Sequence, residues 1–333
     1  MVEEAVRIGL VGVGRIGRNH AEILARHTPG VVLQAIADPD ASAVADVAEA
    51  LRVPQTCSSL AELLSSGVDG VVIAAASTSH AELIVSAAAA GVPVFCEKPA
   101  GMSLAELDRA AGAVDGSGVV CQVGFNRRFA PGFAAARRAV DEGRLGSVQL
   151  LRSTTRDPRL HDPSVVPPWT IFTQTLIHDF DTLNWLNPGA RAVRVFAQAD
   201  ALIRPDFRGA GLLDTALVTV AFDNGALAVA DASFQAAYGY DVRAEVFGSG
   251  GLATAGHVRR TDLTLFGAEG ISVETSRSDT DLLQDSYRAE FSAFVEAVRT
   301  GVAQGPTLHD ARAAFAVAQA CIDSITTSLP VHL

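Results

Sequence analysis

Short apolar runs alternate with segments of helical periodicity in the first third of the chain. The runs predict strands at Val6–Val11, Val31–Ala37, Gly70–Ala75, Val94–Cys96 and Val119–Val123. The segments between them predict helices at Ile16–Arg26, Ala41–Leu51, Ser59–Ser65, Ser79–Ala90 and Leu104–Ala113. Because strand and helix alternate, the pattern predicts βαβ units that build a doubly wound parallel sheet.

The pattern changes after residue 125. Apolar runs now follow one another at Val148–Arg156, Val193–Ala199, Ala216–Phe222, Ala226–Gln235 and Val242–Gly248. Helical patterns are confined to Phe133–Glu142, Asp285–Thr300 and Leu308–Thr326. We therefore predict an α/β chain with a Rossmann domain over residues 1–125 and an α+β domain over residues 126–333, whose sheet is open and mainly antiparallel. Whether the last helix packs back on the Rossmann domain stays open.

The composition is that of a compact soluble chain, with 49% hydrophobic and 19% charged residues. A formal net charge of −11 repels phosphate backbones, so nucleic acid is not expected as a partner. The N-terminus lacks the basic start and apolar core of a signal peptide, and polar residues interrupt the most apolar stretch, Val71–Phe95. We expect a cytoplasmic protein whose four separated cysteines are reduced, without a disulfide framework or a zinc site.

A glycine-rich loop with the spacing G-x-G-x-x-G follows the first predicted strand and opens the first predicted helix. Its residues are Gly12, Val13, Gly14, Arg15, Ile16 and Gly17. The glycines allow a tight turn, a close approach of the backbone to a pyrophosphate, and close packing of helix on strand. The free N–H groups at the start of the helix favour a phosphate. This loop predicts a dinucleotide site.

Asp38 stands at the end of the second predicted strand, 21 residues after Gly17. A carboxylate at this place accepts hydrogen bonds from the adenosine ribose hydroxyls. Asp38 and Asp40 would repel a 2′-phosphate, so the expected cofactor is NAD rather than NADP. The alternative is that Asp38-Pro39-Asp40 forms an ordinary acidic turn.

Together with Glu97-Lys98-Pro99, these motifs resemble the Gfo/Idh/MocA oxidoreductase family over nearly the whole chain. The other matching elements are His20 after the glycine loop, Asp38 and the segment Ala76-Ser77-Thr78-Ser79-His80. Four further segments resemble the inositol 2-dehydrogenase branch: Gly124-Phe125-Asn126-Arg127-Arg128-Phe129, Arg156-Asp157-Pro158, His178-Asp179-Phe180-Asp181 and Tyr238-Gly239-Tyr240-Asp241.

The resemblance implies how the chain binds its ligands and assembles. It implies further cofactor contacts from Ser77, Thr78, His80, Glu97 and Lys98. It also implies that Lys98 and His178 flank the substrate hydroxyl beside the nicotinamide. The second-domain sheet often forms the oligomer interface in this family, so a homodimer or homotetramer is expected.

Lys98 and His178 suit these roles chemically. Lys98 follows a strand at its carboxyl end, where ligands bind in open α/β sheets, and its cation can stabilise a developing alkoxide. His178 can take the hydroxyl proton as hydride leaves. The alternatives are a surface lysine paired with Glu97 and a hydrogen-bonded core histidine.

The chain departs from the branch pattern at the expected substrate wall. An aspartate usually stands four residues before the histidine, whereas this chain has Gln174, which can orient the ring but supplies no charge. Trp169-Thr170 replaces the usual Gly-Gly pair. A different polyol or sugar as substrate is the favoured explanation. A slower inositol dehydrogenase and a binding protein without catalysis stay open.

Arg127, Asp157 and Tyr238 are candidate substrate contacts, and Asp181 is a weaker candidate. For each of them, a salt bridge or a capped turn is an equally good interpretation. His178 and Asp181 share a helical spacing, but no third metal ligand is placed by the sequence, so no metal is expected. We therefore predict an NAD-dependent dehydrogenase that acts on a cyclitol or sugar hydroxyl. A non-catalytic NAD-binding sensor and a redox-neutral enzyme with tightly bound NAD are the alternatives.

Overall fold

The computed structural model describes residues 4–159 and 166–333. Contacts between Cα atoms divide the chain into two compact units. The first unit comprises Met1–Phe129 and Asp285–Arg312, and the second comprises Ala130–Gln284 and Ala313–Leu333. The domain ranges predicted above stay a prediction. No helix in the described ranges is long and apolar enough to cross a membrane.

The strands and helices of the described residues are numbered in chain order. The strands are β1 (Val6–Val11), β2 (Val31–Ala37), β3 (Gln55–Cys57), β4 (Gly70–Ile73), β5 (Val94–Cys96), β6 (Cys121–Val123), β7 (Val148–Arg156), β8 (Ala192–Asp200), β9 (Thr215–Phe222), β10 (Leu227–Ser233), β11 (Asp241–Gly248), β12 (Gly251–Ala255), β13 (Arg259–Gly267), β14 (Gly270–Thr275) and β15 (Val331–His332). The helices are α1 (Arg15–Arg26), α2 (Ala41–Leu51), α3 (Leu60–Leu64), α4 (His80–Ala89), α5 (Leu104–Ser117), α6 (Pro131–Asp141), α7 (Ile177–Trp185), α8 (Asp279–Leu282), α9 (Gln284–Thr300) and α10 (Leu308–Thr327).

The first unit contains a six-stranded parallel sheet in the order β3-β2-β1-β4-β5-β6. This is the strand order of a doubly wound dinucleotide-binding fold, so the predicted Rossmann sheet is confirmed. The four residues of β4 are all buried, as expected for a strand covered on both faces. β3 was not predicted, because three residues are too few to form a recognisable apolar run.

Helix α9 packs on this sheet through aromatic side chains. The rings of Phe291 and Phe294 lie 4.8 and 5.9 Å from the ring of Phe95 on β5, measured between centroids. All three side chains are fully buried. The first unit therefore contains a segment that lies far along the chain from its Rossmann strands.

The second unit contains a seven-stranded sheet in the order β12-β11-β7-β10-β9-β8-β15. Its strand pairs are antiparallel except for β7 and β10, which are parallel. The prediction of a mainly antiparallel sheet is confirmed. Buried and exposed positions alternate along β9, so one face of the sheet is covered and the other is open.

Several elements of the second unit were not predicted. The hairpin of β13 and β14 forms a separate two-stranded sheet. Its side chains are mostly exposed, so the sequence does not alternate between apolar and polar residues as it does in a half-buried strand. A π-helix at Ile171–Thr175 precedes α7, and no periodicity in the sequence signalled this wider turn.

Candidate active site

The glycine loop connects β1 to α1, and two of its glycines are required by their neighbours. Gly12 has φ +94°, and a Cβ atom there would lie 2.5 Å from the carbonyl carbon and oxygen of Ala74. A Cβ atom at Gly17 would overlap the carbonyl oxygen of Gly12. These two positions fix the tight turn and the close packing of helix on strand.

Gly14 differs from the other two glycines, because a Cβ atom there would meet no described atom within 4 Å. The residue is exposed and is the N-cap of α1, so its own side chain supplies no cap to that helix. The loop therefore offers open space beside the N-terminus of a helix, the two features that a pyrophosphate needs. The residues fit the dinucleotide that the sequence predicts.

Asp38 joins the end of β2 to the glycine loop. Its Oδ2 atom accepts a hydrogen bond of 2.9 Å from the backbone N–H of Val13, and its Oδ1 atom accepts one of 2.9 Å from Asp40. Asp40 accepts hydrogen bonds from the backbone N–H groups of Ser42 and Ala43 and so caps α2. Asp38 is thus oriented at the loop, whereas Asp40 has a structural role.

Lys98 is the only lysine of the chain, whose Lys and Arg residues number 26 together. It is half-buried and follows β5. The glycine loop follows β1 at the same carboxyl edge of this parallel sheet. The Lys98–Pro99 peptide bond is cis. The backbone N–H of Lys98 donates to Oε2 of Glu97 at 3.2 Å.

His80 connects the Lys98 turn to the loop after β4. Its ring nitrogens lie 2.8 Å from the carbonyl oxygen of Pro99 and 3.0 Å from that of Ala75. The ring is 1% exposed. Ser77 and Thr78 form a 3-10 turn directly before α4. The structure therefore brings the predicted 77–80 segment and the Lys98 turn together within the first unit.

Two buried glutamates, Glu97 and Glu290, belong to the first unit, and the sequence analysis named only Glu97 as a site residue. Glu97 was predicted, and its Oε1 atom lies 2.7 Å from Nε2 of His20. Burial alone would raise the pKa of Glu97, but the hydrogen bond to His20 and nearby positive charge lower it below its ordinary value. Glu290 on α9 was not predicted. Its spacing from Tyr287 and Phe291, on the apolar face of α9, is the signal that could have found it.

The structure places the predicted substrate contacts in different parts of the chain. Arg127 is 3% exposed and lies in a 3-10 turn of the first unit. Asp157 follows β7 in the second unit, where its backbone N–H donates to Ser233 and its carbonyl oxygen accepts from Ala236. Their roles toward a substrate stay predictions.

Tyr238 lies in the second unit, on the open side of the sheet. Its hydroxyl donates to Asp241 at 2.7 Å and accepts from Arg156 at 3.5 Å. Both Tyr238 and Arg156 line a cavity of about 810 Å³ on this unit. Neither Asp157 nor His178 is among the described residues that line it.

Gln174 and His178 lie on two consecutive helical segments. Gln174 belongs to the π-helix, closed by a hydrogen bond from Leu176 to the carbonyl oxygen of Ile171, and His178 belongs to the first turn of α7. The expectation that residues 174 and 178 share a face assumed α-helical spacing. A π-turn widens that spacing, and such turns are frequent at functional sites.

Trp169 occupies a backbone conformation that favours glycine. Its φ angle is +63°, and its backbone N–H donates to the carbonyl oxygen of Gly211 at 2.9 Å. The resemblance to the inositol 2-dehydrogenase branch implies glycine at this position, which is the residue that such a backbone favours. A left-handed backbone at a bulky residue is uncommon and is found most often at functional sites.

Asp179, next to His178, is a buried carboxylate that the sequence analysis did not name as a candidate site residue. It is fully buried, and its carboxylate accepts hydrogen bonds from the hydroxyls of Ser153 at 2.5 Å and Thr155 at 2.6 Å. These bonds attach the first turn of α7, next to His178, to strand β7. Two hydroxyls at inward positions of a strand were the signal that could have indicated a buried acceptor.

The chain matches known proteins over its whole length. Residues 6–125 match the sequence model of the Gfo/Idh/MocA oxidoreductase family with an NAD-binding Rossmann fold, and residues 133–254 match the C-terminal domain of the same family. The oxidoreductase YrbE of Bacillus subtilis is 36% identical over 98% of this chain and 96% of that protein. The scyllo-inositol 2-dehydrogenase (NAD(+)) of the same organism is 33% identical over 100% of this chain and 97% of that protein.

A solved structure supports the same relationship. The scyllo-inositol dehydrogenase of Lactobacillus casei, with bound NAD(H) and scyllo-inositol, superposes with a TM-score of 0.94 at 26% identity, covering 99% of each chain. The predicted cofactor, NAD, and the predicted enzyme class are confirmed. The chain belongs to the Gfo/Idh/MocA family of NAD-dependent oxidoreductases.

Proposed function

We propose that the chain oxidises a secondary hydroxyl group of a cyclitol or sugar to a ketone, with Lys98 and His178 as the acid–base pair. The observation that carries the proposal is the position of the only lysine. In a chain that otherwise uses arginine, a titratable amine stands at the carboxyl edge of the NAD-binding sheet. The inositol dehydrogenases among the relatives support the substrate class.

The two residues divide the proton and charge chemistry between them. His178 accepts the hydroxyl proton as the carbon–hydrogen bond breaks, and the Lys98 ammonium stabilises the negative charge that develops on the oxygen. Bound NAD supplies the hydride acceptor. A Gln174 amide that hydrogen-bonds His178 would orient the ring without adding charge, so the imidazolium would be stabilised less than beside an aspartate.

Arg127, Asp157 and Tyr238 are proposed as contacts to the substrate hydroxyls. Arg127 supplies donors only, Asp157 accepts when ionised, and Tyr238 can do both. A substrate rich in hydroxyl groups suits this mixture. Substitution of each residue should raise the KM for the substrate more than it lowers kcat, if the contact is made equally in the ground and transition states.

We also propose that the chain assembles as a homodimer or homotetramer through the open face of the second-unit sheet. Large side chains remain exposed on this face, among them Leu217, Leu227 and Phe247. Exposed apolar residues on a sheet that is polar elsewhere are typical of interfaces. Light scattering on the purified chain measures the state directly, and a monomer would contradict the proposal.

The enzymatic test is reduction of NAD, followed by absorbance, with cyclitols, aldoses, sugar acids and aminocyclitols as candidate substrates. Turnover with one class supports the proposal, and Lys98→Met should then abolish turnover while the NADH dissociation constant changes little. Absence of turnover with all classes, while NADH still binds, would favour the NAD-binding sensor. NAD that copurifies and resists dialysis would favour the redox-neutral enzyme.

A further inference from the structure

The Lys98 turn rests on a buried cluster of ionisable groups within the first unit. The cluster, here called the acid cluster, consists of His20 on α1, Glu97 before Lys98 and Glu290 on α9. His20 and Glu290 are 0% exposed, and Glu97 is 7% exposed. The substrate chemistry described above does not use His20 or Glu290. Burying an ionisable group in its charged form is costly unless that charge is paired and hydrogen-bonded, and otherwise the group is neutralised.

We propose that Glu97 is a positioning residue for Lys98, and that the acid cluster leaves Glu97 as its single negative charge, which keeps the Lys98 side chain protonated. The inference deepens the proposed function, since it rests on Lys98 acting as the cation beside the substrate oxygen. It adds a reason why that cation persists at the carboxyl edge of the sheet.

Glu97 is held in place by contacts on both of its carboxylate oxygens. Its two carboxylate oxygens have separate partners: Oε1 pairs with Nε2 of His20 at 2.7 Å, and Oε2 accepts the backbone N–H of Lys98 at 3.2 Å. A Cβ atom at Gly124 would lie 3.2 Å from the Glu97 carboxyl group, so the backbone closes over the carboxylate. Glu97 is therefore fixed in the turn that carries Lys98.

The ring of His20 is enclosed by aromatic side chains. The rings of Phe291, Tyr287 and Phe95 lie 4.8, 5.5 and 6.1 Å from it, between centroids. The Nδ1 atom of His20 has no hydrogen-bond partner in the part of the chain that the structure describes. The contact of Nε2 with Glu97 is therefore the hydrogen bond that the His20 ring makes within the described residues, and it holds Oε1 of Glu97 in place.

Neither carboxyl oxygen of Glu290 has a hydrogen-bond partner among the described residues. Burial, with the Glu97 carboxylate adding to it, raises the pKa of Glu290 well above its ordinary value. Burial and the neighbouring Glu97 carboxylate thus both favour the neutral form of Glu290, in which it adds no charge beside Glu97.

Other ionisable groups also face Glu97. His80 from α4 and Lys98 from the same turn interact with it electrostatically, as does the buried thiol of Cys96. The interaction between Glu97 and Lys98 is reciprocal: the charge on each favours the charged form of the other. Removal of the Glu97 charge should therefore make Lys98 lose its proton at lower pH.

The single lysine allows a direct test on the full chain without substrate. Protein labelled with 13C at lysine Cε gives one lysine signal, and its chemical shift against pH gives the midpoint of Lys98 protonation. In the wild type the midpoint should lie at or above that of free lysine. In Glu97→Gln it should fall by about one pH unit, the size expected when a nearby opposite charge is removed.

Glu290→Gln is the matched control, because it makes the same chemical change inside the same cluster. Its midpoint should equal that of the wild type, since Glu290 is already neutral. An unchanged midpoint in Glu97→Gln would overturn the role of Glu97, and an equal fall in both variants would overturn the neutrality of Glu290. If Glu97→Gln does not fold, a wild-type midpoint well below that of free lysine would by itself contradict the proposal.

Enzyme kinetics separates this inference from the proposed function. If the chain turns over a polyol, Glu97→Gln should shift the alkaline limb of its kcat against pH to lower pH by the same amount as the lysine signal. A chain that fails to turn over any polyol but shows the expected signal shift would refute the proposed function alone.

Discussion

Two left-handed backbone positions, Gly12 in the first unit and Trp169 in the second, are occupied by opposite kinds of residue. At Gly12 the backbone of Ala74 excludes any Cβ atom. At Trp169 the side chain is accommodated, and a Cβ atom placed on Gly211 would lie 3.2 Å from its ring. At Gly12, neighbouring backbone atoms allow no residue but glycine. At Trp169, the neighbour is Gly211, whose missing side chain leaves room for the indole ring.

The conformation of the glycine loop could be predicted from the sequence, whereas that of the Trp169 segment could not. The turn, the helix and the strand of the loop are adjacent in sequence, and each glycine has a local steric reason. The conformation of Trp169 depends on a hydrogen bond to Gly211, far along the chain. Local patterns carry no information about such a partner.

The largest expected effect is that of Gly17→Ala. Its methyl group would overlap the carbonyl oxygen of Gly12, and a backbone atom cannot move aside without disturbing the turn. We expect the free energy of unfolding to fall by about 3 kcal/mol, the upper part of the usual range for overpacking. Urea unfolding followed by circular dichroism measures this, and unchanged stability would show that the loop is looser than the structure has it.

Asp179→Ala should have the next largest effect, because it leaves the hydroxyls of Ser153 and Thr155 buried without their acceptor. We expect a loss of about 3 kcal/mol at most, and about 1 kcal/mol for Asp179→Asn, whose amide can still bond both hydroxyls. Turnover should fall with Asp179→Ala, because the first turn of α7 also carries His178.

Two threonines on β7 provide a control for this prediction. Thr155→Val removes a hydroxyl that bonds Asp179, whereas Thr154→Val removes one that bonds Asp231 on the open face. Only Thr155→Val should reduce turnover by altering the position of α7. Equal effects of both variants on turnover would mean that the Asp179 bonds do not position His178.

The sequence predicted the Rossmann sheet more fully than the second unit. The bounds of β1, β2 and α2 agree with the prediction, since apolar periodicity and capping residues act locally there. The hairpin of β13 and β14 was missed because exposed strands lack that alternation. Sequence motifs predict Lys98 and His178 as the acid–base pair. Glu290 and Asp179 are buried acids whose surroundings come from distant parts of the chain, and no spacing rule predicts them.

Gly14→Ala tests whether the cofactor approaches the glycine loop at Gly14. A methyl group there meets no described atom within 4 Å, so stability should be unchanged, unlike that of Gly17→Ala. The methyl group would enter the space expected for the pyrophosphate. We expect the NADH dissociation constant, measured by fluorescence titration, to rise about tenfold, which corresponds to about 1.4 kcal/mol. Unchanged affinity would show that the cofactor does not approach this residue.

The smallest effect is expected at Trp169 and tests its left-handed backbone. Trp169→Gly and Trp169→Ala both remove the ring that packs on Gly211, so their difference isolates the backbone. Alanine keeps the strain of a positive φ angle, which costs about 1–2 kcal/mol, whereas glycine avoids it and loses about 0.5–1 kcal/mol through its flexibility in the unfolded chain. Trp169→Gly should therefore be the more stable variant by about 0.5–1 kcal/mol in urea unfolding. If alanine were the more stable, the backbone at residue 169 would not be left-handed.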